Sequence, residues 1–321
     1  MFKKTLAAVG GAALVAIAMV APASAQDAGR QQAGARGGVN NDAIDAPARR
    51  TTPTRTPRRE SRQQAPAAPT PEENIAAAQA IATTASISCQ VTEANLLGQT
   101  ADGAKSYEAA CATGPGYILI GSTPPQAVDC VLLAGQAAND RARDPAADVG
   151  TQCTLPKNTD VLSVMASYAA EAGVACTIDQ GGSIGRASSG NLIYEVGCNG
   201  VDGYWLEKAP TGWIKTECSV IATQDATCRY STAEEAAATL KARFAGSEAA
   251  ACDVTQSRYM GSNANGSFYE GKCGAGNGVI VRFDTAFAVQ QVYACEVAHR
   301  IGGGCTLTQV PPLEETATPQ Q

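Results

Sequence analysis

The chain has 321 residues, twelve Cys, a single His and a formal net charge of −6. Residues 74–313 are the acidic part, with 14 Lys/Arg against 22 Asp/Glu, a difference of −8. Because phosphate groups bind to basic surfaces, this charge argues against nucleic acid as a partner.

The N-terminal residues have the features of a secretory signal peptide. Lys3 and Lys4 precede an uncharged apolar run at residues 6–21, and Ala23-Ser24-Ala25 supplies the small residues of a cleavage site. The run is shorter than the roughly 20 residues that cross a bilayer. We expect residues 1–25 to be removed after Ala25, which leaves a periplasmic or secreted protein that does not span the membrane.

Residues 26–73 are predicted to be a disordered linker, since their Pro, Ala and Arg content offers little apolar surface to bury. Within it, residues 49–62 carry six Arg and one acid. The linker is expected to act as a spacer, and an alternative is that its basic segment touches an anionic surface such as lipid headgroups or acidic wall polymer. Residues 314–321 are predicted to be a polar tail.

The body contains one pattern three times, Y-E-x-x-C-x-x-x-x-G, followed by a strand-like run and preceded by an alanine-rich helical stretch. This repetition predicts three α+β units in tandem, at residues 74–157, 158–230 and 231–313. In each unit we expect one helix packed on a small antiparallel sheet of three to four strands, stapled by disulfides. The three matches begin at Tyr107-Glu108, Tyr194-Glu195 and Tyr269-Glu270.

Each copy holds four Cys, and we expect all twelve to form disulfides because the chain is exported into an oxidising compartment. The first two Cys of a copy are 21 or 22 residues apart, a spacing that suits the base of an antiparallel hairpin. The third Cys is expected within the last strand. The predicted pairs are Cys89–Cys111, Cys130–Cys153, Cys176–Cys198, Cys218–Cys228, Cys252–Cys273 and Cys295–Cys305.

The third and fourth Cys of copy one are 23 positions apart, whereas those of the other copies are ten positions apart. The extra residues of copy one, around 136–148, are predicted to form a helix. No metal site or cofactor is predicted, because the chain has no C-x-x-C and only His299 as an imidazole ligand. His299 also lacks the surrounding motif of a hydrolase triad, so no catalytic residue is assigned.

The repeated Glu108, Glu195 and Glu270 are expected to face away from the core and to cap a turn or pair with backbone or Arg. Contact with a ligand is a second interpretation of these residues. The glycine-rich stretches near Gly98, Gly182 and Gly261 are predicted to be hairpin loops on one binding edge. In copy two the candidate contact residues are Gly182, Arg186, Tyr204, Trp205 and Trp213.

Together these features favour a non-catalytic binding or scaffold module of the cell envelope, which contacts a protein or a wall polysaccharide through repeated loop edges. One alternative is an inhibitor or ligand of a secreted hydrolase. A further alternative is a carboxylate-dependent hydrolase, which requires two of the repeated glutamates about 5–9.5 Å apart.

Overall fold

The three copies each fold as a helix followed by a four-stranded antiparallel sheet in which neighbouring strands are consecutive in the chain. The structure, a computed structural model, describes residues 68–308, so the predicted signal peptide, most of the linker and the polar tail lie outside the described residues. Copy one contains α1 Pro71–Thr84, β1 Val91–Gln99, β2 Lys105–Cys111, β3 Tyr117–Ile120, β4 Gln126–Asp129 and α2 Cys130–Arg143. Copy two contains α3 Pro156–Thr159, α4 Val161–Glu171, β5 Ile178–Arg186, β6 Leu192–Cys198, β7 Val201–Ala209, β8 Gly212–Glu217 and α5 Cys218–Ile221. Copy three contains α6 Ala233–Phe244, β9 Val254–Asn263, β10 Gly266–Cys273, β11 Val279–Phe283 and β12 Val289–Ala294.

Capping residues set where the helices begin. Thr232 and Glu235 form a capping box at α6. Thr70 and Glu73 form the same box at α1, with Pro71 in its first turn. The first helix therefore starts three residues before the predicted residue 74, and the end of the linker predicted at residue 73 is corrected accordingly.

The helix of each copy covers one face of its sheet, and the repeated Tyr lies in the core between them. Tyr107, Tyr194 and Tyr269 are at most 3% exposed. Each belongs to a separate cluster of buried apolar side chains. Since side chains alternate across a strand, the Glu that follows each Tyr lies on the opposite face.

Six disulfides join the same pairs that the spacing predicts, with Cα–Cα distances of 5.0–5.8 Å: Cys89–Cys111, Cys130–Cys153, Cys176–Cys198, Cys218–Cys228, Cys252–Cys273 and Cys295–Cys305.

The third Cys of each copy follows the last strand and does not lie within it, contrary to the prediction. Cys130 and Cys218 begin helices, and Cys295 comes directly after β12. In copy one the strand ends because the Asp129 carboxylate accepts the Val131 N–H at 2.7 Å and caps α2. The predicted insertion helix thus starts at Cys130, six residues before the expected position.

The glycine-rich stretch at residues 181–186 lies wholly in β5, which corrects its prediction as a hairpin loop. The stretches at 98–103 and 261–266 begin in β1 and β9 and continue into the hairpin turns that follow these strands. In β5 the lack of a side chain allows close packing, because a Cβ at Gly181 would lie 2.9 Å from Met165 Cγ.

Neighbouring copies pack directly against each other. Val131 of α2 belongs to the core cluster of copy two, together with Tyr194 and Leu206. At the other junction α6 packs on both β7 and β9. There the Thr239 hydroxyl accepts the Asp202 N–H at 2.7 Å. Among the described helices, none combines the length and the apolar character that crossing a bilayer requires.

Candidate functional site: clefts beside a repeated strand bulge

The first strand of every sheet carries a β-bulge at the same position. The pairing register shifts beside Gly98, Gly185 and Gly261, each of which lies nine residues after the first Cys of its copy. These glycines have φ values of 147°, 142° and 119°. A residue with a Cβ rarely adopts such a φ, so the glycine permits the bulge.

In copies one and three a cleft lies beside the bulge at equivalent positions. The cleft of copy one has a volume of about 480 Å³ and is mainly aliphatic. The cleft of copy three has a volume of about 410 Å³ and adds aromatic rings and a guanidinium. Copy one contributes Leu97, Gln99, Ile118, Ile120 and Leu133, and copy three contributes Met260, Ser262, Phe268, Tyr293 and Arg300.

The cleft beside the bulge of copy two has a volume of about 440 Å³ and is built from two copies. Strands β5 and β6 form one wall, and α2 of copy one forms the other. Its polar lining includes Asn139, Asp140, Arg143 and Arg186, and Val128, Leu132, Leu133 and Leu192 form its apolar part. A fourth cleft of about 440 Å³ lies at the junction between copies two and three and is lined mostly by small residues.

Gly135 allows α2 to approach β5. A Cβ at this position would lie only 2.4 Å from the carbonyl oxygen of Ser183. Any larger residue must therefore move the helix away from the strand. The wall of the copy-two cleft thus depends on a glycine that lies one helical turn before Asn139.

Glu108, Glu195 and Glu270 are fully buried and anchor the end of each copy. Each carboxylate accepts the backbone N–H groups of the two residues that follow the fourth Cys. The Oε1–N distances are 2.7 Å to Thr154 and Leu155, 2.5 Å to Arg229 and Tyr230, and 2.8 and 2.7 Å to Thr306 and Leu307.

This arrangement matches the structural role that strand alternation predicts for the glutamates. It does not offer them to a ligand, because the carboxylates are enclosed and satisfied by the chain itself. Each glutamate also lies in a different sheet. The three therefore do not form, within residues 68–308, the solvent-accessible carboxylate pair that a glycoside hydrolase would need.

The pKa values of Glu108 and Glu270 lie below the ordinary value. Burial would raise the pKa of Glu108, but hydrogen bonds from Leu155, Asn158 and Thr154 outweigh it. Burial would also raise the pKa of Glu270, and the Thr306 and Leu307 N–H groups and the Arg258 guanidinium outweigh it there. Arg258 Nε is 2.9 Å from Glu270 Oε2.

The pKa of Glu195 is shifted in the opposite direction. Its burial raises the pKa above the ordinary value, although Tyr230, Trp205 and Arg229 donate hydrogen bonds to the carboxylate. The Trp205 Nε1–Glu195 Oε2 distance is 3.1 Å. Copy two has no counterpart of the Arg258 contact, since Gly182 is the residue that pairs with Glu195 on the first strand.

Each buried glutamate lies beside the second disulfide of its copy, with the carboxylate and the two sulfur atoms within 4.8 Å of one another. Metal binding by Cys requires a thiolate. All six sulfur atoms of these groups are in disulfides, so the groups are not metal centres in this oxidised state.

The structure does not bring the aromatic candidates of copy two together as one surface. Tyr204 and Trp213 pack against the core cluster. The Trp213 ring centroid is 5.0 Å from that of Tyr168. Trp205 follows Tyr204 directly on β7 and therefore lies on the other face, over Glu195.

Of the remaining candidates, only Arg186 lies on an accessible cleft. Its Nη1 donates to the Gly190 carbonyl at 3.0 Å, and its exposed side chain lines the copy-two cleft. Gly182 is buried, and a Cβ there would lie 3.2 Å from the Tyr230 hydroxyl. His299 is exposed in the loop that the Cys295–Cys305 disulfide closes.

The bulge and its cleft were not predicted as such. The sequence signal that marks them is the glycine nine residues after the first Cys of each copy, a regularity within stretches that resemble loops. Comparison with protein-family models, curated proteins and solved structures finds no match to the chain. The six disulfides fit a protein that folds outside the cytosol.

Proposed function

We propose that this protein is an exported, non-catalytic binding module that contacts a partner of the cell envelope through the clefts beside its three strand bulges. The observation that carries the proposal is the recurrence of an accessible cleft next to the bulge in every copy. Residues 1–25 would direct export and be removed afterwards, and the linker residues before Pro71 would form a spacer ahead of α1.

The residue that follows the bulge glycine supports this proposal. Gln99, Arg186 and Ser262 occupy equivalent positions, ten residues after the first Cys, and all three are exposed and line a cleft. A folded scaffold that holds variable side chains at one repeated position is typical of binding repeats.

The unlike linings of the three clefts favour a protein partner over a wall polysaccharide. A polymer of one repeating unit would select similar side chains in every copy. Here copy one presents aliphatic groups, copy two presents two guanidinium groups, and copy three presents Phe268 and Tyr293. Three weak contacts to different parts of one protein would add through linkage.

Site-specific photo-crosslinking tests the proposal in intact cells. A photoreactive residue replaces Gln99, Arg186 or Ser262 in the full chain, and the matched controls replace the exposed Glu72 on α1 or Glu234 on α6. The expected result is one common adduct from the cleft positions and none from the controls. Equal adducts from all five positions, or no adduct from any cleft position, would refute the proposal.

A further inference from the structure

The cleft of copy two has an unusual charge for this protein. Residues 74–313 have an excess of eight acids, yet this cleft contains Arg143 and Arg186 and a single acid, Asp140. Neither guanidinium forms an ion pair with a carboxylate of residues 68–308. Two cations without counter-ions on an acidic body favour an anionic ligand.

Asn139 adds a second polar requirement. Its Oδ1 atom is buried and has no hydrogen-bond partner within the described part of the chain, and the residue lines the same cleft. A buried acceptor without a donor destabilises the fold. A ligand that brings an N–H or O–H group to this oxygen would remove that destabilisation.

The third property of the cleft is its apolar wall. Leu132, Leu133 and Leu192 are each half-buried there, together with Val128. The ligand must therefore combine an anion, a hydrogen-bond donor and an apolar group within a short distance. The last residue of a polypeptide has all three, since it carries an α-carboxylate, a backbone N–H and a side chain.

We infer that the copy-two cleft binds the free C-terminus of a partner protein whose last residue is apolar. Arg143 and Arg186 bind the α-carboxylate, Asn139 Oδ1 accepts the N–H of the last residue, and the leucine wall holds its side chain. Capture of a terminal carboxylate is a known mode of peptide recognition. An internal Asp or Glu fits less well, because its residue carries no apolar side chain beside the carboxylate.

This inference rests on the proposed function and names the partner chemistry of one of its three clefts. Calorimetric titration of the full chain tests it with the peptide Ala-Ala-Ala-Ala-Leu, in free-acid and C-terminally amidated forms. The free acid is expected to bind, and amidation should weaken binding about tenfold or more, since charged hydrogen bonds contribute about 1.5–3 kcal/mol.

Variants locate the binding in the cleft. Arg143→Gln and Arg186→Gln should each weaken binding of the free acid about tenfold, and Asn139→Ala about three- to tenfold. The matched control is Arg141→Gln, because Arg141 lies exposed on the same helix and is not part of the cleft lining. Unchanged thiol content and thermal unfolding of each variant ensure that the fold is intact.

Three outcomes would overturn the inference. They are equal binding of the acid and the amide, an equal loss in Arg141→Gln, and no binding of the free acid at about 1 mM peptide. Equal binding of the amidated peptide Ala-Ala-Asp-Ala-Leu would show that internal carboxylates suffice. If the peptide tests fail, adducts from Gln99 and Ser262 in the otherwise unchanged chain would leave the proposed function standing, whereas the absence of adducts from every cleft position would refute both.

Discussion

Glu217 of copy two accepts a hydrogen bond from the Tyr269 hydroxyl of copy three at 3.0 Å, within the buried junction of the two copies. Burial, then the nearby Glu217 charge, raises the pKa of Tyr269, so its hydroxyl stays protonated and donates. Arg243 also binds Glu217, and the side chains of this ion pair are only 14% and 8% exposed.

Arg243→Ala is expected to lower the free energy of unfolding by about 3 kcal/mol, because it leaves a buried carboxylate without its cation. Lys241→Ala is the matched control on the same helix. Its ion pair with Asp253 is 57% and 68% exposed, so the change should cost less than about 1 kcal/mol. Urea unfolding of both variants measures the difference, and similar losses would contradict a role of the buried pair in the junction.

Glu108→Gln and Glu270→Gln should make the stability of the protein depend less on pH in the acidic range. A lowered pKa means that the unfolded chain binds protons more readily, so both glutamates stabilise the fold above their ordinary pKa of 4.5. This contribution is lost as the pH falls below 4.5 through the folded pKa. Thermal unfolding from about pH 3 to pH 6 measures the slope, with the exposed Glu93→Gln as control. An unchanged slope in both variants would contradict the assignment.

Glu195→Gln should change the pH dependence of stability in the opposite direction. The raised pKa of Glu195 means that the folded chain binds protons more readily than the unfolded chain. Its contribution to stability is complete below the ordinary value of 4.5 and is lost as the pH rises through the folded pKa. Wild-type stability should therefore decline above pH 4.5, the variant should lack this decline, and the exposed control Glu93→Gln on β1 should retain it. A decline that persists in Glu195→Gln would disprove this.

Gly135→Ala tests the contact between copies one and two. The new Cβ would meet the Ser183 backbone, so α2 must shift from β5 at a cost of about 1–3 kcal/mol. Ala138→Ser on the exposed side of the same helix is the control, with an expected change within about 0.5 kcal/mol. Chemical unfolding measures both variants. A Gly135→Ala protein with the same free energy of unfolding as the wild type would argue against close packing at this junction.

Replacement of Cys218 and Cys228 by Ala should destabilise the protein by about 3 kcal/mol through the loop that the disulfide closes. The same disulfide holds the segment whose N–H groups bind Glu195. Amide exchange of Arg229 and Tyr230 should therefore accelerate more than that of the distant Val281 in β11. Equal acceleration at all three would indicate global unfolding and no local role of the disulfide.

Local patterns in the sequence predicted the parts of the fold that depend on local chemistry. The Tyr-Glu repeat identified the core residue and its neighbour on the other face, and the Cys spacing identified the hairpin base. The end of the last strand was misplaced, because Asp129 favours a helix start at Cys130 where the pattern suggested a continuing strand.

The candidate site was less accessible to sequence reasoning, because it depends on tertiary packing. Arg186 was identified from its glycine-rich surroundings, but Arg143 and Asn139 lie some 40 residues earlier and reach the same cleft only because α2 packs on β5. Tyr204 and Trp213 are partly buried against the core of copy two, a packing role that their aromatic character alone did not distinguish from a contact role.

The packing between neighbouring copies is not symmetric along the chain. A side chain from copy one completes the interior of copy two, and α6 of copy three closes the far side by packing on β7. Both neighbours therefore cover part of copy two. A fragment cut at the copy boundaries would expose the hydrophobic residues of copy two that these neighbours cover. The three units are therefore not interchangeable in this packing, because a different order would separate Val131 and α6 from the surfaces that they cover.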